Sequence, residues 1–262
     1  VTKVYAFVNQ KGGVGKTTTT ISLAYCFARE DQRVLMIDLD PQANATSCLG
    51  VDKRIVRNGT YEVLIGSCPA TAAILQNEQL GLSLIPSSPN LTGAEVELIT
   101  EERREVRLRD ALTEILPAYD YILVDSPPSL GILTLNALVA AADGVVIPVQ
   151  CEYLALEGLS QLTQTVGRVR SSLHPRLEIR GVVMTMFDGR TNLGNQVIEE
   201  VRSHFPGKVF ATVIPRSIRL AEAPSYGIPI SVYAPSSIGA LAYQALAEEI
   251  LTSDGVHRTG RG

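Results

Sequence analysis

A glycine-rich run, Gln10-Lys11-Gly12-Gly13-Val14-Gly15-Lys16-Thr17-Thr18, stands between an apolar β-branched stretch, Val4 to Asn9, and a helix-length segment, Thr17 to Glu30. Strand, loop and helix in that order are the context that phosphate binding requires. Glycines let consecutive backbone N–H groups converge on phosphate oxygens, and the helix N-terminus adds partial positive charge. Lys16 can then reach the β- and γ-phosphates of a nucleotide, while the Thr17 hydroxyl can ligate Mg²⁺. The general pattern G-x-x-x-x-G-K-[ST] is not fully met, because Gln10 takes the place of its first glycine. A glycine turn capped by threonines is the plain alternative, and the flanking elements weigh against it.

Two further runs end in acids. Val34 to Ile37 leads into Asp38-Leu39-Asp40-Pro41-Gln42, and Tyr121 to Val124 leads into Asp125-Ser126-Pro127-Pro128-Ser129. Carboxylates at strand ends lie where open α/β sheets bind ligands. Acids gathered there repel one another unless a cation stands between them and phosphate. In isolation each acid reads as a solvated turn aspartate; beside a phosphate loop the functional reading is the stronger one.

The loop Lys11-Gly12-Gly13-Val14-Gly15-Lys16-Thr17 resembles the deviant Walker A motif of the ParA/MinD group of ATPases. The resemblance extends over Asp38 to Thr46, Glu152 to Gly158, Thr185 to Thr191 and Ile214 to Ser225, which look like the ParA/Soj partition branch, and covers the chain from Lys3 to Leu251. It implies ATP and Mg²⁺ as cofactors, with Lys11 to Thr18 on the nucleotide. Lys11 would be the signature lysine, crossing to a partner subunit's phosphates in an ATP-dependent homodimer, as an arginine finger would. Asp40 would orient the attacking water, making Lys11, Lys16 and Asp40 the catalytic set. Thr17 would hold Mg²⁺ directly, with Asp38 and Asp125 acting through water, and Ser126 to Leu130 would sense the γ-phosphate. Pro215 and Ser217 would border the adenine, although Ser217 departs from the asparagine expected there. Arg190 and Arg219 would contact nonspecific double-stranded DNA, and a ParB-like centromere-binding protein would stimulate hydrolysis.

The elements that must position these residues follow from periodicity. Seven strand-like runs, Val4 to Asn9, Val34 to Asp38, Leu82 to Pro86, Tyr121 to Asp125, Gly144 to Val149, Ile179 to Met186 and Lys208 to Ile214, are apolar on both faces. Helical patterns lie between them at Thr17 to Glu30, Arg103 to Leu116, Leu133 to Ala142, Leu156 to Leu173, Leu193 to Phe205 and Ile238 to Leu251. Such alternation predicts an α/β fold, a doubly wound, mostly parallel sheet covered by helices on both faces. Residues 1–251 are expected to form one P-loop ATPase domain, with 252–262 a fraying tail.

Composition narrows the function classes. Hydrophobic residues at 45% and charged residues at 19% describe a globular protein, and no apolar run approaches the ~20 residues of a membrane-spanning helix. Val4 to Val8 reads as a strand rather than a signal peptide, and Val1 in place of methionine suggests a trimmed start. Cys26, Cys48, Cys68 and Cys151 share no C-x-x-C spacing and are read as reduced packing residues of a cytoplasmic, nucleoid-associated protein. His174, His204 and His257 have no ligand spacing. The net charge of −4 is uneven: residues 151–220 hold 9 Lys+Arg against 6 Asp+Glu, the positive stretch. With 5% aromatic residues and no Trp, duplex phosphates are a better-suited partner than single strands. A MinD-like membrane-associated ATPase would need a basic amphipathic helix that Thr252 to Gly262 does not offer. A metabolic ligase on the same loop is the other rival, and the Asp188 to Arg190 and Arg216 to Ser225 segments argue against it.

Overall fold

The alternating apolar runs assemble, in a computed structural model that describes residues 1–256, into one eight-stranded sheet. Its strands are β1 (Lys3–Phe7), β2 (Val34–Asp38), β3 (Leu75–Asn77), β4 (Leu82–Ile85), β5 (Tyr121–Asp125), β6 (Gly144–Gln150), β7 (Ile179–Phe187) and β8 (Val209–Pro215). They lie in the order β3-β4-β2-β5-β1-β6-β7-β8, all parallel except β3, which runs antiparallel to β4. Successive residues feed two separate cores. Val4, Ala6, Leu35, Ile37, Ile122 and Val124 pack on one face; Tyr5, Phe7, Val34, Met36, Tyr121 and Leu123 pack on the other. Burial on both sides explains why the strands lack polar alternation.

The helices are α1 (Lys16–Arg29), α2 (Asn44–Cys48), α3 (Thr60–Ile65), α4 (Ala70–Ala73), α5 (Leu91–Glu97), α6 (Arg107–Leu112), α7 (Ile132–Ala140), α8 (Ala155–Ser172), α9 (Asn192–His204), α10 (Ile218–Glu222), α11 (Ile230–Tyr233) and α12 (Ile238–Ser253). Helices α1 and α12 pack against each other on the second face, and α7 and α8 cover the first. The strand order reverses at β1, which lies between β5 and β6, so the crevice beyond its carboxyl end is the natural ligand position.

Three sequence expectations are corrected. The helix expected over Arg103 to Leu116 is broken into a 3₁₀ turn, Arg104–Val106, then α6, then a second 3₁₀ turn, Leu116–Ala118. Asn136 of α7 explains the first break: its side-chain oxygen accepts from Leu108 N at 3.0 Å and its Nδ2 donates to Arg104 O at 2.8 Å. Strand β3 is an addition to the seven expected strands. It is three residues long with two exposed, and it depends on the Asn77–Gly81 turn, where Gly81 takes φ 69°.

The third correction concerns the segment from Thr252. Helix α12 continues through Ser253, and Asp254 is almost fully buried as a three-way acceptor. Tyr5 and Tyr121 donate to it at 2.8 and 3.1 Å, and Arg180 donates at 3.0 Å. The end of α12 is thereby bound to β1, β5 and β7, and Val256 packs on the same core. Residues 257–262, including His257 and the rest of the expected tail, lie outside the described residues. Because removing one partner of a buried ion pair strands the other, Asp254→Ala is expected to lower stability by about 3 kcal/mol. Urea unfolding checks this, and a loss below about 1 kcal/mol would show that the contact is dispensable.

Candidate nucleotide-binding site

Strands β1, β2 and β5 end side by side, and their register brings the chemistry together. Phe7 lies opposite Asp125, and Asp125 lies opposite Asp38. From Phe7 the chain enters the glycine loop, where Gly13 and Gly15 adopt φ of 75° and 87°, a left-handed backbone that side chains resist. Gly15 caps α1 without a side chain, so the first N–H groups of that helix remain available to a ligand. Lys16 reaches back over the loop and donates to Lys11 O at 3.2 Å.

A cavity of about 480 Å³ opens beside this loop. Gly12, Gly13, Gly15, Lys16, Thr17 and Thr18 form its polar end, with Asp40 facing them. Val14 is buried behind the loop, where its carbonyl accepts from Thr185 Oγ1 at 2.8 Å and ties the loop to β7. The far end is apolar, walled by Leu220, Ala223, Pro224, Ile228 and Ile230. Pro215 and Ser217 do not line it: Pro215 ends β8 opposite Phe187, Ser217 caps α10, and the wall is made by residues further along the same segment.

The acids divide into distinct tasks. Thr17 Oγ1 donates to Asp125 Oδ2 at 2.7 Å, so the hydroxyl suited to a metal ion has its carboxylate partner directly behind it. Asp38 is engaged inward: Oδ1 accepts from Asp40 N at 3.1 Å, and Oδ2 accepts from Thr46 N and Thr46 Oγ1 at 2.8 and 2.7 Å. It is fully buried and does not line the cavity, and the bonds from Thr46 tie it to α2. Asp40 does line the cavity; its Oδ1 accepts from Gln42 N at 2.9 Å, and Oδ2 has no hydrogen-bond partner among the described residues.

Burial of these groups without enough positive charge shifts their protonation. Burial pushes Asp38 up to about 6. Burial, and then the neighbouring Asp38, raise Asp125. Asp40 is raised by burial too, against the pull of Lys16. Lys16 is lowered by burial and held up by Asp125 and Asp40. One buried lysine, with Lys53 pulling on Asp40 from the surface, among three carboxylates is a site short of cation. Among the described residues no group of three or more His, Cys, Asp or Glu side chains is arranged to hold a metal alone. That donor set, one hydroxyl with a carboxylate behind it, suits Mg²⁺, which keeps waters and takes much of its shell from substrate phosphates.

The remaining sequence candidates, Lys11, Arg190 and Arg219, do not line the cavity. Lys11 is half exposed and forms an ion pair with Glu152, just before α8. Arg190 and Arg219 leave the ends of neighbouring strands β7 and β8, linked by Arg216 N donating to Phe187 O at 2.9 Å. Both are exposed, and both are paired: Arg190 with Asp188, Arg219 with Glu222. The Arg190 guanidinium holds Asp188 down to about 2. Sequence reasoning gave no role to Thr46, which closes the Asp38 segment, and missed Thr60 and Ser87, which lie in no recognisable motif. Thr60 Oγ1 bonds Asp38 O and Pro86 O, and Ser87 Oγ donates to Asp40 O at 2.7 Å.

A family model described as an AAA domain matches residues 2–179. The chromosome partitioning protein ParA of Myxococcus xanthus is 50% identical over 254 residues, 97% of this chain and 89% of that protein. The chain belongs to the ParA/Soj family. A second member, the sporulation initiation inhibitor protein Soj of Bacillus subtilis, is 53% identical over 248 residues, 95% of this chain and 98% of its own. The ParA/Soj chain also superposes on the crystal structure of cobyrinic acid a,c-diamide synthase from Mycobacterium smegmatis with bound ATP analogue and magnesium. That likeness has a TM-score of 0.86 at 35% identity and covers 98% of both chains, which places the ParA/Soj sheet and loop in the P-loop NTPase fold. No helix among the described residues is long and apolar enough to cross a membrane.

Lys16 lies at the polar end of the cavity, folded back over the loop, where the sequence expects it to meet phosphate. Lys16→Ala is expected to abolish binding of ATP measured by calorimetry, and unchanged affinity would remove the phosphate-loop assignment.

Proposed function

We propose that the chain is a Mg²⁺-dependent ATPase of DNA segregation, whose ATP-bound homodimer holds nonspecific double-stranded DNA and is reset by hydrolysis stimulated by a ParB-like partner. The observation that carries this reading is the convergence of the glycine loop, the Thr17–Asp125 pair and Asp40 on one cavity at the strand-order reversal. Family membership supports the rest. Lys16 and the N–H groups of the loop hold the phosphates, and Thr17 holds Mg²⁺ with Asp125 behind it. Bound Mg²⁺ would neutralise phosphate charge. Asp40 accepts the proton of, or orients, the attacking water through its free carboxylate oxygen. Lys11, half exposed, crosses to a partner's phosphates once it leaves Glu152. Arg190, just past β7, and Arg219, in α10 just past β8, form the DNA surface, and the protein is then associated with the nucleoid.

The alternative of a metabolic ATP-dependent enzyme is the one that the name of the Mycobacterium smegmatis structure suggests. Relatives of 50% and 53% identity named ParA and Soj support partition more strongly than a structure at 35% supports synthesis. Turnover that requires a small acid or amine substrate would favour the synthase reading instead.

Two measurements test the proposal. Asp40→Ala should bind Mg·ATP yet stall hydrolysis and accumulate as a dimer by light scattering, whereas Lys11→Ala should bind nucleotide as a monomer. A monomeric Asp40→Ala protein at saturating ATP would count against both the catalytic role and the shared site. Duplex binding should require ATP and fall steeply with salt, and Arg190→Ala or Arg219→Ala should lower the log–log salt slope by about 0.9 for each phosphate left unneutralised. Wild-type slopes in variants that still dimerise would sink the DNA assignment.

A further inference from the structure

The hydrogen bonds around Asp40 lead away from the cavity to two buried side chains. The main chain of Asp40 is held at both ends: its N donates to Asp38 Oδ1 at 3.1 Å, and its O accepts from Ala43 N at 2.8 Å and from Ser87 Oγ at 2.7 Å. Its carboxylate is turned by Gln42 N onto Oδ1. The turn this creates forces Ala43 to φ 51°, a left-handed backbone rarely taken by alanine. Thr46 closes the far side, with both its N and its hydroxyl on Asp38 Oδ2, and the same hydroxyl accepts from Ser87 N at 2.8 Å. Ser87 therefore joins the two legs of the turn, one through its N and the other through its hydroxyl. Ser87 and Thr46 are fully buried, and neither lines the cavity.

We propose that Ser87 and Thr46 are positioning residues that fix the Asp40 carboxylate toward the attacking water, an inference that rests on the role given to Asp40 above. Satisfying polar atoms does not by itself require Ser87. Asp40 O already has Ala43 N as a partner, and alanine would occupy the same space without a hydroxyl to satisfy. What the hydroxyl adds is direction, since it ties the turn to the segment following β4, a part of the sheet remote in sequence. That segment is itself immobilised. Thr60 Oγ1 bonds Pro86 O, and a Cβ on Gly59 would lie 2.5 Å from Pro86 O, so the two backbones approach more closely than any other residue allows. Without Ser87 Oγ, the strained turn loses the one side-chain bond to Asp40 O itself, and the contacts that remain, Lys53 Nζ on Gln42 O and Ser87 N on Thr46 Oγ1, hold other residues of the segment. A general base displaced by about 1 Å can lose about 100-fold in rate while binding is unaffected.

Turnover and affinity for a fluorescent ATP analogue would be measured for Ser87→Ala, Thr46→Val, Thr46→Ser, Asp40→Ala and the Asp40→Ala/Ser87→Ala double variant. Ser87→Ala should reduce kcat about tenfold or more, with nucleotide affinity within about twofold of wild type. Thr46→Ser, which keeps the hydroxyl, should retain turnover, and Thr46→Val should lose it. In the Asp40→Ala background, Ser87→Ala should cause no further loss, because it acts through Asp40. Urea unfolding would accompany each variant. If Ser87→Ala folds poorly, Ser87→Cys, which keeps the volume with a far weaker donor, must show the same loss of kcat. Wild-type kcat in Ser87→Ala or its cysteine counterpart, beside a stalled Asp40→Ala, overturns the inference alone. An equal Ser87→Ala loss in both backgrounds, or a fall in affinity matching the fall in rate, overturns it as well. Wild-type turnover in Asp40→Ala removes instead the catalytic role of Asp40.

Discussion

The interaction on which the rest of the site depends is the meeting of Asp38, Asp40 and Asp125 with a single buried cation, Lys16. Parallel strands β2 and β5 end in register, so their terminal carboxylates are brought close whether or not this favours the folded protein. Hydrogen bonds relieve part of the repulsion: Asp38 is absorbed by Thr46 and the backbone of Asp40, and Asp125 by Thr17. What is left over is negative potential aimed at the mouth of a loop built to hold phosphate. A divalent cation between that potential and a bound phosphate would offset both, which fits a site that takes nucleotide and metal together.

The same constraint shapes the surroundings. An acid that must face a phosphate cannot rely on electrostatic attraction for its position, and backbone contacts do that work for Asp40. The glycine loop is treated likewise, pinned from behind by Thr185 while its N–H groups stay open in front. At the other end of the sheet the rule reverses. Asp254 meets two phenols and a guanidinium that satisfy it completely, and nothing there is left for a ligand.

Much of this is legible in the sequence, and the reasons are specific. Strands such as Val34–Asp38 and Tyr121–Asp125 are buried on both faces, so their apolar runs are unbroken and their terminal acids conspicuous. The loop is legible because glycine, lysine and threonine each meet a distinct geometric demand at a fixed spacing. Ser87 is not legible, since its partner Thr46 is 41 residues away and a buried serine looks like any loop serine. Asp38 ends its strand opposite Asp125, so the sequence reads the two alike, and the inward bonds from Thr46 to Asp38 leave no trace in the pattern. Pro215 and Ser217 fall just short of the cavity on a segment of short helices, where a few residues of advance turn a different side chain inward. Asn136 breaks an otherwise periodic helix from a distance that no local pattern records.

The carboxylates beside Arg190 and Arg219 have a consequence for how such a surface lets go. Each guanidinium already has an internal anion, bidentate in the case of Asp188. On the DNA-binding role proposed above, a phosphate arriving there would exchange one partner for another instead of occupying an idle charge, and the displaced carboxylate would stay nearby to reclaim its place. Adhesion at either point is thus intrinsically reversible, with a competitor tethered at high local concentration. A grip assembled from several such contacts would be firm while all are engaged and would dissolve quickly once a few are withdrawn, as the proposed cycle on and off DNA would require.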